Sequence, residues 1–265
     1  MLFSRWSYYL ASVPTLLKGI TNWPIALRLF LGLPVQQPAI IELKNGSQFR
    51  VRTGMDVWII KETCLDRDYE RNSVPIEDGW TVIDIGAGLG DFAINVAREH
   101  PSSVVYAYEP FPESFALLQE NIKLNQVASV RAFPYAIGKQ SGTMCLETTM
   151  GIAVQHSKAS TATGTNPDTL QVPGLSLADI LKKENLSRCD FLKVDCEGAE
   201  YDIFLHADEE SLHKIEHICL EYHDGVTAFS HTDLVRFFEE QGFQAQTHPN
   251  PAHSDLGFLY ASRQS

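Results

Sequence analysis

Acidic residues are absent from the first 41 positions, where Arg5, Lys18 and Arg28 are the only charges. The remainder then holds 18 basic and 33 acidic residues, a formal charge of −15 against −12 for the whole chain. Basic residues are scarce overall, and an acidic surface repels phosphate backbones, so a general nucleic-acid binder is excluded. Cysteine pairs of the CxxC type are missing. The five cysteines, Cys64, Cys145, Cys189, Cys196 and Cys219, are odd in number and widely spaced, which points away from a zinc cage or a disulfide framework and toward reduced thiols in a cytoplasmic protein. No apolar run reaches the roughly 18–20 residues that span a bilayer. The aromatic, leucine-rich start is broken by Pro14, Pro24 and Pro34. It also lacks a compact apolar stretch with a small-residue cleavage site, so a secretory signal is not expected. Short helices packed on the main domain are the expected form, with peripheral membrane contact through residues 1–33 left open.

What is present divides the chain at about residue 75. Residues 1–75 read as a helical segment and β-hairpin extension, and residues 76–265 as one α/β domain. Asn45-Gly46 sits between Ala39–Leu43 and Gln48–Thr53, the spacing of a type I′ hairpin. A helix is predicted over Asp56–Glu70, ending in the charged stretch LDRDYE. Beyond it strands and helices alternate. Strands are predicted over Thr81–Ile85, Val104–Glu109, Val130–Tyr135, Phe191–Asp195 and Ile215–Tyr222. Helices are predicted over Asp91–Glu99, Glu113–Leu124, Ser176–Glu184, Glu200–His206 and Thr232–Gln241. Such alternation predicts a parallel sheet with helices on both faces. Phe243–Thr247 and Gly257–Ala261 have no helix between them and predict an antiparallel edge. The stretch Ser157–Thr169, rich in Ser, Thr, Gly, Asn and Pro, predicts a loop, either a tolerated insertion or a flap over a substrate.

The strongest motif is Asp84-Ile-Gly86-Ala-Gly88-Leu-Gly90, between an apolar strand and a helix. Glycines there allow a tight turn and close backbone approach to a ligand, while the helix N-terminus offers free N–H groups. A dinucleotide fingerprint G-x-G-x-x-G would need glycine at position 91, which is Asp91, so a dehydrogenase is disfavoured. Glu109 ends the next strand, where a carboxylate can accept both hydroxyl hydrogens of a ribose or can serve a helix N-terminus.

These residues, with YEPFPESFALLQENIKLN at Tyr108–Asn125, AIGKQSG at Ala136–Gly142, LKVDCEGAEYDIF at Leu192–Phe204 and LEYH at Leu220–His223, resemble the FkbM family of S-adenosylmethionine-dependent methyltransferases. The resemblance spans roughly residues 40–225. It implies an α/β, Rossmann-like seven-stranded methyltransferase sheet of strand order 3-2-1-4-5-7-6, with the N-terminal helical and hairpin part added. It implies S-adenosylmethionine held by Asp84, Gly86, Gly88, Gly90, Glu109, Pro110 and Ala136, and O-methylation of a sugar or small natural product. N- or C-methylation on the same scaffold, or a non-catalytic nucleoside-binding module, are the alternatives.

Lys193, Asp195, Glu197 and Glu200 crowd the end of the fourth core strand, and Glu221 and His223 end the fifth. Alternation puts Asp195 on the face of Lys193, and Glu221 on that of His223. Asp195, Glu221 and His223 are therefore the candidate catalytic residues. They are also the candidate ligands for a divalent metal such as Mg²⁺, the two roles being inseparable at this level. An acid cluster that merely caps the following helix is the competing reading. His213 and His217, four apart, read as solvated surface rather than a zinc helix.

Overall fold

The hairpin extension forms because Asn45-Gly46 turns the chain between two alternating strands. The computed structural model describes residues 12–147, 169–250 and 253–263. Residues 12–19 are helical (α1), followed by α2 (Trp23–Phe30), β1 (Ala39–Glu42) and β2 (Gln48–Val51). Ile41 pairs opposite Phe49 in the antiparallel hairpin, and both are fully buried with Ile20, Val57 and Ile60. Helix α3 (Gly54–Ile60) starts at a Thr53–Asp56 capping box and runs into a π-helical turn over Lys61–Leu65. The predicted helix over Asp56–Glu70 is thus shorter. The chain leaves helical geometry near Arg67, whose φ is +57°.

The core follows the predicted alternation. Its elements are β3 (Thr81–Ile85), α4 (Asp91–Glu99), β4 (Val104–Tyr108), α5 (Pro112–Asn125) and β5 (Val130–Phe133). Then come β6 (Ala136–Gly138), β7 (Gly142–Glu147), β8 (Thr169–Ser176), α6 (Leu177–Lys183) and β9 (Cys189–Val194). The chain closes with α7 (Glu200–Phe204), α8 (Glu209–His213), β10 (Ile215–His223), α9 (His231–Glu240), β11 (Phe243–Pro249) and β12 (Leu256–Arg263). The main sheet runs β5-β4-β3-β9-β10-β12-β11, which in core-strand numbering is 3-2-1-4-5-7-6. Its first five strands are parallel, and β12 is antiparallel to both β10 and β11.

Side-chain parity sorts the core. Ile83, Ile85, Leu192, Val194 and Leu220 pack with α6, α7 and α9 on one face. Val82, Phe191 and Cys219 pack with Phe92, Ala93 and Val96 of α4 on the other. Burial on both faces is what a parallel sheet requires.

Three features were not predicted. Strands β6, β8 and β7 form a separate three-stranded sheet, its strand pattern masked by Gly142, Pro173 and Gly174. Helix α8 precedes β10. His217 is half-buried rather than solvated, stacking on Trp80 and meeting Ser262 Oγ at 3.0 Å. Apart from Thr169, which opens β8, the predicted loop Ser157–Thr169 lies outside the described residues. Among the described residues no helix is long and apolar enough to cross a membrane.

The extension is tied to the core by asparagines of α5. Asn121 Oδ1 accepts from Arg50 N–H at 2.7 Å and Asn125 Oδ1 from Gln48 N–H at 2.9 Å, which satisfies the free edge of β2. Asn121 Nδ2 also donates to the Leu89 carbonyl at 2.9 Å, so the same side chain holds the glycine loop.

Candidate active site

Gly86 leaves β3 with φ +75°, and a Cβ there would lie 1.7 Å from the Asp195 carbonyl oxygen. The ends of β3 and β9 approach so closely that only glycine fits. Gly88 (φ +52°) is different. A Cβ there would meet no atom within 4 Å, because this backbone borders a cavity. Gly86, Gly88, Glu109, Pro110 and Ala136 all line that cavity, beside Tyr108, Ile137 and Met144. Two predicted cofactor residues do not. Gly90 serves as the left-handed N-cap of α4 beneath Leu118, and Asp84 is fully buried under the loop. Their positions support the loop's shape rather than touch its contents.

Asp84 stands in register with Lys193 on the neighbouring strand, and Lys193 with Cys219 on the next. Lys193 Nζ lies 3.0 Å from Asp84 Oδ1 and donates to the Gly86 carbonyl at 2.7 Å. Burial alone would lower the ammonium pKa, but Asp84, Asp195 and Asp91 together raise it, so Lys193 stays charged. Lys193 therefore pairs with Asp84 rather than with the acid cluster beyond it.

Glu109 Oε2 accepts from Gly88 N–H and Oε1 from Phe111 N–H, both at 2.9 Å. The carboxylate thus braces both the loop and the entry to α5, and each oxygen keeps a lone pair for a further donor. Burial pushes its pKa up to about 7, against the pull of the two amides. Asp91, also lining the cavity, is raised by burial to about 6.

Ligand atoms of Asp195, Glu221 and His223 come within 4.8 Å of one another. Parity accounts for this, since all three lie on one sheet face at the carboxyl ends of adjacent strands. Tyr69 donates its hydroxyl to Asp195 Oδ2 at 2.6 Å, packed edge-on against Phe92 and Phe258. Sequence reasoning missed Tyr69, whose only signal is its place in the charged stretch LDRDYE. His223 is held by Glu200, whose Oε1 accepts from His223 N–H at 2.9 Å and lies 3.1 Å from Nδ1. Its Nε2 is 3.4 Å from Glu197 Oε2. Burial would lower the imidazole pKa, yet the hydrogen bond that the ring donates to Glu200 and the charges of Glu200, Glu221 and Asp195 lift it to about 10. Burial and the Asp195 charge raise the Glu221 carboxyl well above its usual range. Glu197 adopts φ +54° next to Gly198, and burial raises its carboxyl to about 7. A left-handed non-glycine residue costs about 1–3 kcal/mol and persists where its surroundings over-determine it. Glu200 itself is fully buried and accepts from Gly198 N–H at 2.8 Å, so it fixes this turn and His223 together.

Known proteins resemble this chain in sequence and in fold. The family model described as the methyltransferase FkbM domain matches residues 84–245. "Methyltransferase 1" of Beauveria bassiana is 28% identical over 217 residues, covering 75% of this chain and 86% of its own. The 31-O-demethyl-FK506 methyltransferase FkbM of Streptomyces tacrolimicus is 25% identical over 239 residues, covering 80% and 91%. Among solved structures, methyltransferase FkbM of Methylobacillus flagellatus superposes with a TM-score of 0.51 at 12% identity, over 96% of this chain and 60% of that one, a likeness of fold. The matched span takes in the glycine loop, Glu109, the Lys193–Asp195 strand end and the Glu221–His223 pair, and the chain belongs to the FkbM methyltransferase family.

Proposed function

We propose that the protein transfers a methyl group from S-adenosylmethionine to a hydroxyl of a small molecule, a sugar or natural product. The observation that carries this reading is the meeting of Asp195 and Glu221 on the wall of the same cavity that the glycine loop and Glu109 border. The cavity fits the cofactor: Gly88 leaves open backbone, Glu109 keeps acceptor lone pairs for ribose hydroxyls, and Asp91, Glu109 and Asp195 suit a cationic ligand. When bound, S-adenosylmethionine supplies a methyl on a sulfonium sulfur, whose departure leaves the C–S electron pair on sulfur.

The residues then have separable tasks. Glu221, with its raised pKa, accepts the acceptor's hydroxyl proton, and Asp195 is oriented for the same site by Tyr69. A placed base of this kind contributes about 10²–10⁴-fold, and alignment of the reactants supplies about 7–11 kcal/mol in well-oriented cases. His223 is cationic near neutral pH, so it balances the two carboxylates rather than acting as the base. The donor set fits a divalent ion only in part, because both imidazole nitrogens are within 3.1–3.4 Å of carboxylate oxygens of Glu200 and Glu197. The five cysteines are free thiols, as a reducing cytoplasm would keep them.

The test is Asp195→Asn. Cofactor affinity by calorimetry should change little, while methyl transfer to a hydroxylated acceptor falls about 10²-fold or more. Turnover that survives chelation by EDTA supports the carboxylate pair, whereas loss restored by Mg²⁺ would assign Asp195 and Glu221 to an ion. Full turnover in Asp195→Asn would reduce the cluster to a helix cap.

A further inference from the structure

Helix α2, WPIALRLF, is apolar on two faces. Ile25, Ala26 and Leu29 pack into the hairpin core, while Trp23, Leu27 and Phe30 form a second stripe at i, i+4, i+7 that stays 40–48% exposed. Arg28 lies outside both stripes, and the second stripe is left without the cover that the first one has. Val13 and Leu17 of α1 and Met55 of α3 are similarly exposed, and together these residues wall a groove of about 980 Å³. Contiguous exposed apolar surface of this kind marks a binding site more often than ordinary surface does.

The groove does not end blindly. Glu62, Glu197 and Glu221 line both it and the cavity of the glycine loop, and His223 lines its inner end. Anything seated along α1 and α2 therefore reaches the acid–histidine cluster. Its volume lies at the upper end of the roughly 300–1,000 Å³ typical of small-molecule sites. Three acidic side chains outnumber the single His223 imidazolium at the inner end, which disfavours acidic phospholipids and leaves a neutral hydroxyl as the fitting polar end.

We propose that the methyl acceptor is a neutral, hydroxyl-bearing amphiphile, whose apolar body fills the groove of α1–α3 while its hydroxyl sits at Asp195 and Glu221. This rests on the methyl-transfer reading and adds the acceptor's chemical class to it. The N-terminal extension thereby acts as the acceptor-selecting part of the enzyme.

Ethyl, butyl, hexyl and octyl β-glucosides, kept below their micelle concentrations, are the probes. Their affinity for the whole chain is read by calorimetry, with S-adenosylmethionine binding titrated separately. Affinity should rise roughly threefold to fourfold per added methylene, the factor for burying a CH₂. Leu27→Asp and Leu17→Asp alter exposed positions, so the fold should survive by circular dichroism while the chain-length dependence flattens. Cofactor binding with no chain-length dependence overturns the groove assignment alone. So does a dependence that both variants retain. Failure to bind S-adenosylmethionine defeats the methyl-transfer reading, and the glucoside series still reports on the groove by itself. Binding to neutral or anionic vesicles that Leu27→Asp abolishes, without glucoside binding, would reassign the stripe to a membrane surface. Glucoside binding only after deletion of residues 1–11 would make that segment the occupant instead.

Discussion

Replacing Lys193 by Met isolates the strut beneath the glycine loop. Asp84 is wholly buried and Lys193 nearly so, with 3.0 Å between their charged atoms. At an effective dielectric near 20 the gross attraction at that distance is about 5–6 kcal/mol, set against the desolvation of both ions. Removing one partner strands the other, so Lys193→Met should cost about 3–5 kcal/mol at pH 8. The loss should shrink in acid. Burial already holds the Asp84 carboxyl above its ordinary range, and without the ammonium the proton binds more tightly still. The folded variant then binds more protons than its unfolded chain between the ordinary carboxylate pKa and the raised one. Its stability therefore falls as pH rises through that window and recovers as pH drops. Asp84→Asn combined with Lys193→Met should restore most of the loss, because no buried charge remains. Urea unfolding of the wild type and the two variants at pH 5 and pH 8 with constant slope is the assay. A loss under about 1 kcal/mol, or one indifferent to pH, would refute the claim that this pair supports the loop.

The two glycines of the loop should fail differently. Gly86→Ala forces a methyl onto the Asp195 carbonyl and should lower stability by about 4 kcal/mol or more, read by denaturation. Gly88→Val should fold at a cost of about 1–2 kcal/mol for its left-handed backbone, yet lose S-adenosylmethionine by calorimetry; intact affinity would move the cofactor elsewhere. Glu109, raised to about 7, accepts ribose hydroxyls best when ionised, so wild-type affinity should weaken as pH falls through 7. Glu109→Gln should bind more weakly at pH 8, by about 1.5–3 kcal/mol at most, and should lack that pH step; an identical pH profile in both proteins would remove Glu109 from the site.

How much of this was legible depends on sequence distance. The strand–helix alternation, the antiparallel edge and the glycine turn follow from local pattern, because strand parity and turn chemistry act over a few residues, whereas the sheet order came only with the family resemblance. The meeting of Asp195, Glu221 and His223 was also readable, since parity and strand adjacency suffice to place them. Tyr69 was not. Its bond to Asp195 spans 126 positions and depends on how the chain leaves the π turn after α3, which no periodicity encodes. Asp84 and Gly90 carry the right motif but act through Lys193 and α4, a distinction only burial reveals. The sheet of β6, β7 and β8 was hidden because glycine and proline interrupt the alternation by which strands are recognised. The apolar groove escaped for the opposite reason: Trp23, Leu27 and Phe30 look like any core stripe until the neighbouring face of α2 proves to be the one that is buried.

The placement of charge follows from two simple constraints acting together. Parallel strands bring their carboxyl ends to one edge, and alternation puts every second residue on one face. Asp84, Lys193 and Cys219 lie in one row across that face, and Asp195 and Glu221 stand two residues further along their strands. The first row is sealed in the core, where a lysine must neutralise the acid. The second row emerges where the strands end, and there the acids stand beyond the Lys193–Asp84 pair and meet His223. Electrostatics is thus graded along the strand axis, from a closed ion pair that holds the loop to the Asp195–Glu221 acid pair at its mouth, where burial and the Asp195 charge raise the Glu221 carboxyl. The extension then closes the site from outside, with Tyr69 and Glu62 beside the acids and the bare face of α2 leading away from them. In the proposed reading, cofactor chemistry is set by the sheet, and acceptor choice by what the hairpin and its helices add to it.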